Sequence, residues 1–139
     1  MTKFAFRLEK LLDYRRQQEK SAKDAYLESR ARRIDTEHDI EGLQNVREKA
    51  LSAQPKSIED RRQLDGYLVR LDDERRGLEA ARAVLLDDEE AYRQAWLKAK
   101  QDSDALQKLR DEEFAVWLKA VNKKEQDALD EWSVTRRAA

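Results

Sequence analysis

One proline and three glycines are the only strong breakers in 139 residues, and the proline stands in the single segment Ser52-Ala53-Gln54-Pro55-Lys56-Ser57. Proline lacks a backbone donor and biases the residue before it away from helical geometry, so a helix arriving at Gln54 has to stop. Gly42, Gly66 and Gly77 each cost about 1 kcal/mol relative to Ala inside a helix and read as tolerated weak points. With one break the chain cannot supply the many tight turns of a sheet or of an ordinary enzyme fold. The sequence predicts a single domain over residues 1–139 made of two helices, at about 3–52 and about 57–134, with a turn at about 53–56. Ser57 with Asp60 three positions later is a helix-opening arrangement, Asp standing in for the usual Glu or Gln.

Periodicity says how the two helices meet. In the second, steps of three and four run through Leu64, Leu68, Leu71, Arg75, Leu78, Arg82, Leu85, Glu89, Tyr92, Trp96, Ala99, Ser103 and Leu106, of which nine are apolar. The chain as a whole is only 40% hydrophobic, so this enrichment marks a coiled-coil seam. The first helix gives Leu8, Leu11, Leu12, Ala22, Ala25, Tyr26, Ile40, Leu43, Val46 and Ala50, with a poor stretch from Ser29 to Asp39 that holds only Ala31 and Ile34. That stretch is expected to pack loosely. The fold class is all-α, two long helices in an antiparallel coiled-coil hairpin, the second longer than the first.

Folding back at Pro55 sets Leu43 near Gly66 to Leu68, Tyr26 near Leu85 and Leu11 near Ala99. The first helix is then exhausted opposite about Leu106, and the second continues alone with Leu109, Phe114, Trp117, Leu118, Val121, Leu129 and Trp132. Apolar patches of that size are rare on monomers, so the overhang calls for a partner.

Charge and chemistry exclude several classes. Charged residues make up 42% of the chain, yet 29 basic and 30 acidic side chains leave a net charge of −1 and no one-signed field for nucleic acid. Apolar runs such as Ala83 to Leu86 are far too short for membrane insertion, so the protein is expected to stay soluble where it is made. With no Cys, one His and no Gly-rich phosphate loop there is no nucleophile and base to place, and neither enzyme activity nor a cofactor is expected. His38 among Asp35, Asp39 and Glu41 reads as a surface histidine rather than a metal ligand. Asp87-Asp88-Glu89-Glu90 and Asp102-Ser103-Asp104 read as solvated helix faces, the latter lacking the Gly of a calcium loop. Arginine doublets at 15–16, 32–33, 61–62, 75–76 and 136–137 mostly have acidic neighbours, and ion pairing within and between helices accounts for them.

The two ends are informative together. The opening Phe4-Ala5-Phe6-Arg7-Leu8-Glu9-Lys10-Leu11-Leu12-Asp13-Tyr14-Arg15-Arg16, followed by Glu19 and Ala22, resembles the start of the FliJ family of flagellar protein-export components. The closing Leu106-Gln107-Lys108-Leu109-Arg110 and Lys124-Glu125-Gln126-Asp127-Ala128-Leu129-Asp130-Glu131 resembles the family's C-terminal pattern, from which Trp117 and Trp132 depart. The resemblance implies a stalk that engages the hexameric export ATPase and promotes its ring assembly. It also implies contact with the cytoplasmic part of the transmembrane export gate, handling of export chaperones, and a cytoplasmic location at the inner face of the membrane. A homologous stalk of a virulence-type secretion system and a self-associating structural coiled coil are the alternatives.

Antiparallel pairing brings the N-terminal segment beside the overhang, and the ATPase contact is expected there. Phe4, Phe6, Leu8, Phe114, Trp117, Leu118, Val121, Leu129 and Trp132 are the anchors, and Arg7, Lys123, Lys124, Arg136 and Arg137 would steer it.

Overall fold

The computed structural model describes residues 3–138 and contains two helices, α1 at Glu9–Leu51 and α2 at Ile58–Ala138. They form an antiparallel coiled-coil hairpin whose second helix is the longer, and no strand occurs among the described residues. The chain divides into a loop unit, Ser21–Leu97, and a terminal unit, Met1–Lys20 with Lys98–Ala139.

The loop unit is joined by residues 52–57, none of them helical and all exposed. At the end of α1 the Ser52 hydroxyl donates to the Lys49 carbonyl at 2.7 Å, and the amides of Ser52 and Ala53 reach back to Lys49 and Ala50 at 3.2 Å. Short back-bonds of this kind use up carbonyls that have no partner further along the helix. At the start of α2 the Ser57 hydroxyl accepts from the Asp60 amide at 3.1 Å, the N-cap that the sequence predicted.

The register differs from the one predicted. Tyr26 stacks on Trp96 with ring centroids 5.5 Å apart, where Leu85 was expected, and Arg47 pairs with Asp72 at 3.0 Å. The expectation assumed a tight turn at Pro55, whereas six non-helical residues at about 3.3 Å each can climb about 20 Å, the rise of some 13 helical residues. The first turns of α2 therefore return beside the linker before they meet α1, and Ala53, Gln54, Pro55 and Lys56 line a shallow groove with Asp60, Gln63 and Leu64.

The seam of α2 is the predicted one. From Leu64 to Trp96 every predicted position is sheltered except the half-exposed Tyr92, and Leu71 is buried at 7% exposure. The α1 seam is more polar than predicted. Its sheltered row is Ala22, Tyr26, Ser29, Arg33, Thr36, Ile40, Leu43, Arg47 and Ala50, while Val46 sits exposed on the flank.

The poor stretch from Ser29 to Asp39, expected to be loosely packed, is filled by charge. Arg33 donates to the Glu89 carboxylate through Nε and, at 3.3 Å, through Nη2. Its Nη1 donates to both oxygens of Glu37 at 3.0 Å, and Arg82 Nε reaches Glu37 at 2.9 Å. The side chains of Arg33 and Glu89 are only 19% and 13% exposed, so each charge depends on the other for the solvation it has lost. Hydrogen bonds from Arg82 and then Arg33 hold the Glu37 carboxyl below the ordinary carboxylate range. The same interactions, Glu89 first, raise the Arg33 guanidinium. On the outer face Arg93 donates twice to Glu90 at 2.8 and 2.9 Å and Gln94 once at 3.0 Å, which lowers that carboxyl to about 2.

Two outcomes are expected. Leu71→Ala should cost about 2–3 kcal/mol in chemical denaturation, as for a buried leucine whose site cannot fully collapse. Arg32→Ala removes only an exposed pair with Glu28 and should cost less than about 1 kcal/mol; equal costs would mean the seam is misplaced. Because the Glu37 carboxyl is depressed in the folded state, its stabilisation is present at neutral pH and is lost as pH falls through its folded value. Wild-type melting temperature should therefore fall further between pH 7 and pH 3 than that of Glu37→Gln, with the two converging in acid.

Candidate partner-docking site

In the terminal unit α1 begins at Glu9 rather than at residue 3. Residues 3–7 alternate exposed, sheltered, exposed, buried, exposed, the period of an extended segment, so Phe4 and Phe6 both face inward. In a helix two residues two apart would point some 200° from one another, and one ring would be left in water. A turn at Arg7 and Leu8 follows, the Glu9 amide donates to the Phe6 carbonyl at 3.2 Å, and the Leu8 carbonyl takes the first helical bond from Leu12 at 2.9 Å.

Around this segment the seam is tight. Leu12 is fully buried, Phe6 is 6% exposed and Ser103 is buried, while Leu11, predicted to face inward, is exposed on the flank. Arg110 ties the pieces together. Its Nε donates to Glu9 at 3.0 Å and its guanidinium lies 5.4 Å over the Phe4 ring, a cation-π contact. Arg15 pairs with Asp102 at 3.6 Å and Arg16 donates to Gln107, so this doublet and half of the Asp102-Ser103-Asp104 motif serve helix pairing.

Phe4 crosses to α2 and meets Phe114 edge-on at 5.2 Å and Trp117 at 5.8 Å, and these two stack on each other at 5.7 Å. The predicted overhang from Leu106 onward is thereby shortened. The shifted register already sets Glu9 opposite Arg110, and the N-terminal segment, which rises more per residue than a helix does, carries the pairing on to Trp117. Among the described residues none pairs with α2 after half-buried Val121, and from Asn122 to Ala138 every residue but Ser133 is exposed.

The fourteen predicted contact residues therefore fall into three groups, with half-buried Val121 between the first two. Phe4, Phe114 and Trp117 form the aromatic cluster, with Phe114 40% exposed, while Phe6 is buried and Leu8 half-buried on the same N-terminal segment. Leu118, Leu129 and Trp132 are exposed, Trp132 at 60%. Phe114, Leu118, Val121, Glu125, Leu129, Trp132 and Arg136 follow one another at helical spacing, so they form one face of α2 that runs out of the cluster. Arg7, Lys123, Lys124, Arg136 and Arg137 are exposed, with the Arg136 guanidinium 5.0 Å over the Trp132 ring. Residues 122–138 carry four basic and four acidic side chains, so the basic groups do not make a one-signed field. The sequence reading missed Arg110, whose inward position is visible in the seam steps Ala99, Ser103, Leu106, Arg110.

No group of acidic and histidine side chains suited to a metal occurs among the described residues, and none of their helices is long and apolar enough to cross a membrane. With the pairing, the N-terminal segment and the free end of α2 in view, the comparison with known families is decisive: the model for the flagellar FliJ protein matches residues 4–138. The chain belongs to the FliJ family. No curated protein and no solved structure matches it. As a FliJ protein it is a coiled-coil component associated with flagellar protein export.

The division of the site gives a stability contrast. Leu12→Ala should lower stability by about 2–4 kcal/mol. Trp132→Ala, although it removes a larger side chain, should change it by less than about 1 kcal/mol because its ring is mostly in water already. Thermal or urea melts of both variants measure the difference, and a large cost at Trp132 would mean that the end of α2 is packed in solution.

Proposed function

We propose that this FliJ protein is the non-enzymatic stalk that binds the hexameric export ATPase and raises its activity. In this reading it is cytoplasmic, reaches the inner face of the membrane through the type III export apparatus, and also contacts the cytoplasmic part of the export gate and export chaperones. The observation that carries the reading is the apolar face Leu118, Val121, Leu129 and Trp132 on a helix that continues past its intramolecular partner. A helix face of this kind suits a groove in a partner, with exposed aromatic and aliphatic anchors supplying the buried contact. Lys123, Lys124, Arg136 and Arg137 lie on or beside it, with Arg7 on the N-terminal segment, and as single exposed charges they can each pair with an acidic side chain of the partner.

A ligand that prefers the assembled ring stabilises that ring, so adding the protein to its cognate ATPase should raise both hexamer content and hydrolysis. Leu118→Ser with Trp132→Ser should remove the stimulation and weaken binding at least about tenfold, as for loss of central interface anchors. Helix content and melting temperature should stay near wild type, since both side chains are exposed in the free protein. Full stimulation by the double variant would take the contact off this face. Sedimentation of the wild type as a stable oligomer would instead favour pairing with a second copy.

A further inference from the structure

The N-terminal segment lies on the same stretch of α2 from which the docking face departs. We infer that residues 3–5 are a displaceable strap hinged at Phe6, which covers Phe114 and Trp117 in the free protein and is lifted when the ATPase takes the α2 face; the inference rests on the docking assignment above.

Three features support a latch rather than a permanent layer. Among the described residues, the backbone of segment 3–8 makes only two hydrogen bonds outside regular helix, from Glu9 to Phe6 and from Leu12 to Leu8, both at its helix-proximal end. Among the described contacts, residues 3–5 are held through the Phe4 ring. The hold is divided: Phe6, buried beside the turn, is a fixed anchor, whereas Phe4 is half-buried and reaches α2 only through its ring. The strap is also continuous with the exposed face, because Phe114 opens the row Phe114, Leu118, Val121. A partner helix laid along Trp132, Leu129, Val121 and Leu118 and continued by one turn meets Phe4, so strap and partner compete for the Phe114 ring. When a binding-competent form is only partly populated, apparent affinity falls by that fraction. The strap therefore lowers affinity for the ATPase until the aromatic pair is exchanged.

The chain has no cysteine, so Lys3→Cys gives one attachment point for bimane, whose emission a nearby indole quenches. Quenching that disappears on Trp117→Phe reports the closed strap. Saturating cognate ATPase should then raise the emission of the full-length protein to the level seen with Phe4→Ala. Phe4→Ala should bind the ATPase about five- to tenfold more tightly, while Phe4→Tyr, which keeps a ring, should bind like wild type. Weaker binding by Phe4→Ala would make Phe4 part of the contact and overturn the strap, as would unchanged emission at saturation. Absence of wild-type binding would remove the docking assignment and the strap's role together, whereas binding without a change in emission removes the strap alone.

Discussion

Two helices with no third layer have one seam each, and everything that holds this hairpin together has to fit into those two rows. A two-helix seam leaves every flanking position wet, which is why so few side chains are fully sheltered and why 42% of the chain can be charged without penalty. The rows are not uniformly apolar. Leu-rich layers such as Leu64, Leu68 and Leu71 alternate with the layer of Arg33, Glu37, Arg82 and Glu89, whose charges are matched across the interface. A leucine layer is indifferent to small slips, whereas a charge layer is not, since sliding the helices by one heptad would bring Glu37 towards Glu89 or Arg33 towards Arg82. Specificity of register is a well-attested use of polar seam groups.

How much of this was legible in the sequence depended on how strongly each row departs from the background. The second helix announces itself because leucines recur against a charged background, and Ser57 marks its start because few other residues satisfy an orphan amide. The first helix is harder. Arg15, Glu19, Arg33 and Arg47 occupy inward positions, and a rule that looks for apolar residues picks the flanking Leu11 and Val46 instead. Only the partner strand of charges on α2 makes those polar positions intelligible, and that pairing requires a register. The register was misjudged because proline fixes where a helix ends but not how far the next one starts along the axis.

At the other end the information was present in another period. Lys3-Phe4-Ala5-Phe6-Arg7 alternates in steps of two, a pattern that suits an extended segment and that a search for steps of three and four absorbs into the helix. The aromatic cluster follows from that difference, and the shortened overhang from it together with the shifted register. The exposed face beyond it was recognisable because, among the described residues, none of α1 lies opposite Leu129 and Trp132 under either register.

The climb of residues 52–57 makes the linker a length standard rather than a tether. Loops usually absorb insertions and deletions cheaply, since closure entropy varies only slowly with length. Here a residue added or removed can move the start of α2 by up to about 3.3 Å, worth roughly two helical positions, and so turn the wrong face of α2 towards α1. Only changes of about three residues return the leucines to phase, near one heptad of slip, and these place the charge layer against the wrong partners. Among descendants of such a sequence, positions such as Ala53 and Gln54 are free to drift while the linker's length and its capping Ser57 are held, the reverse of what surface loops ordinarily show.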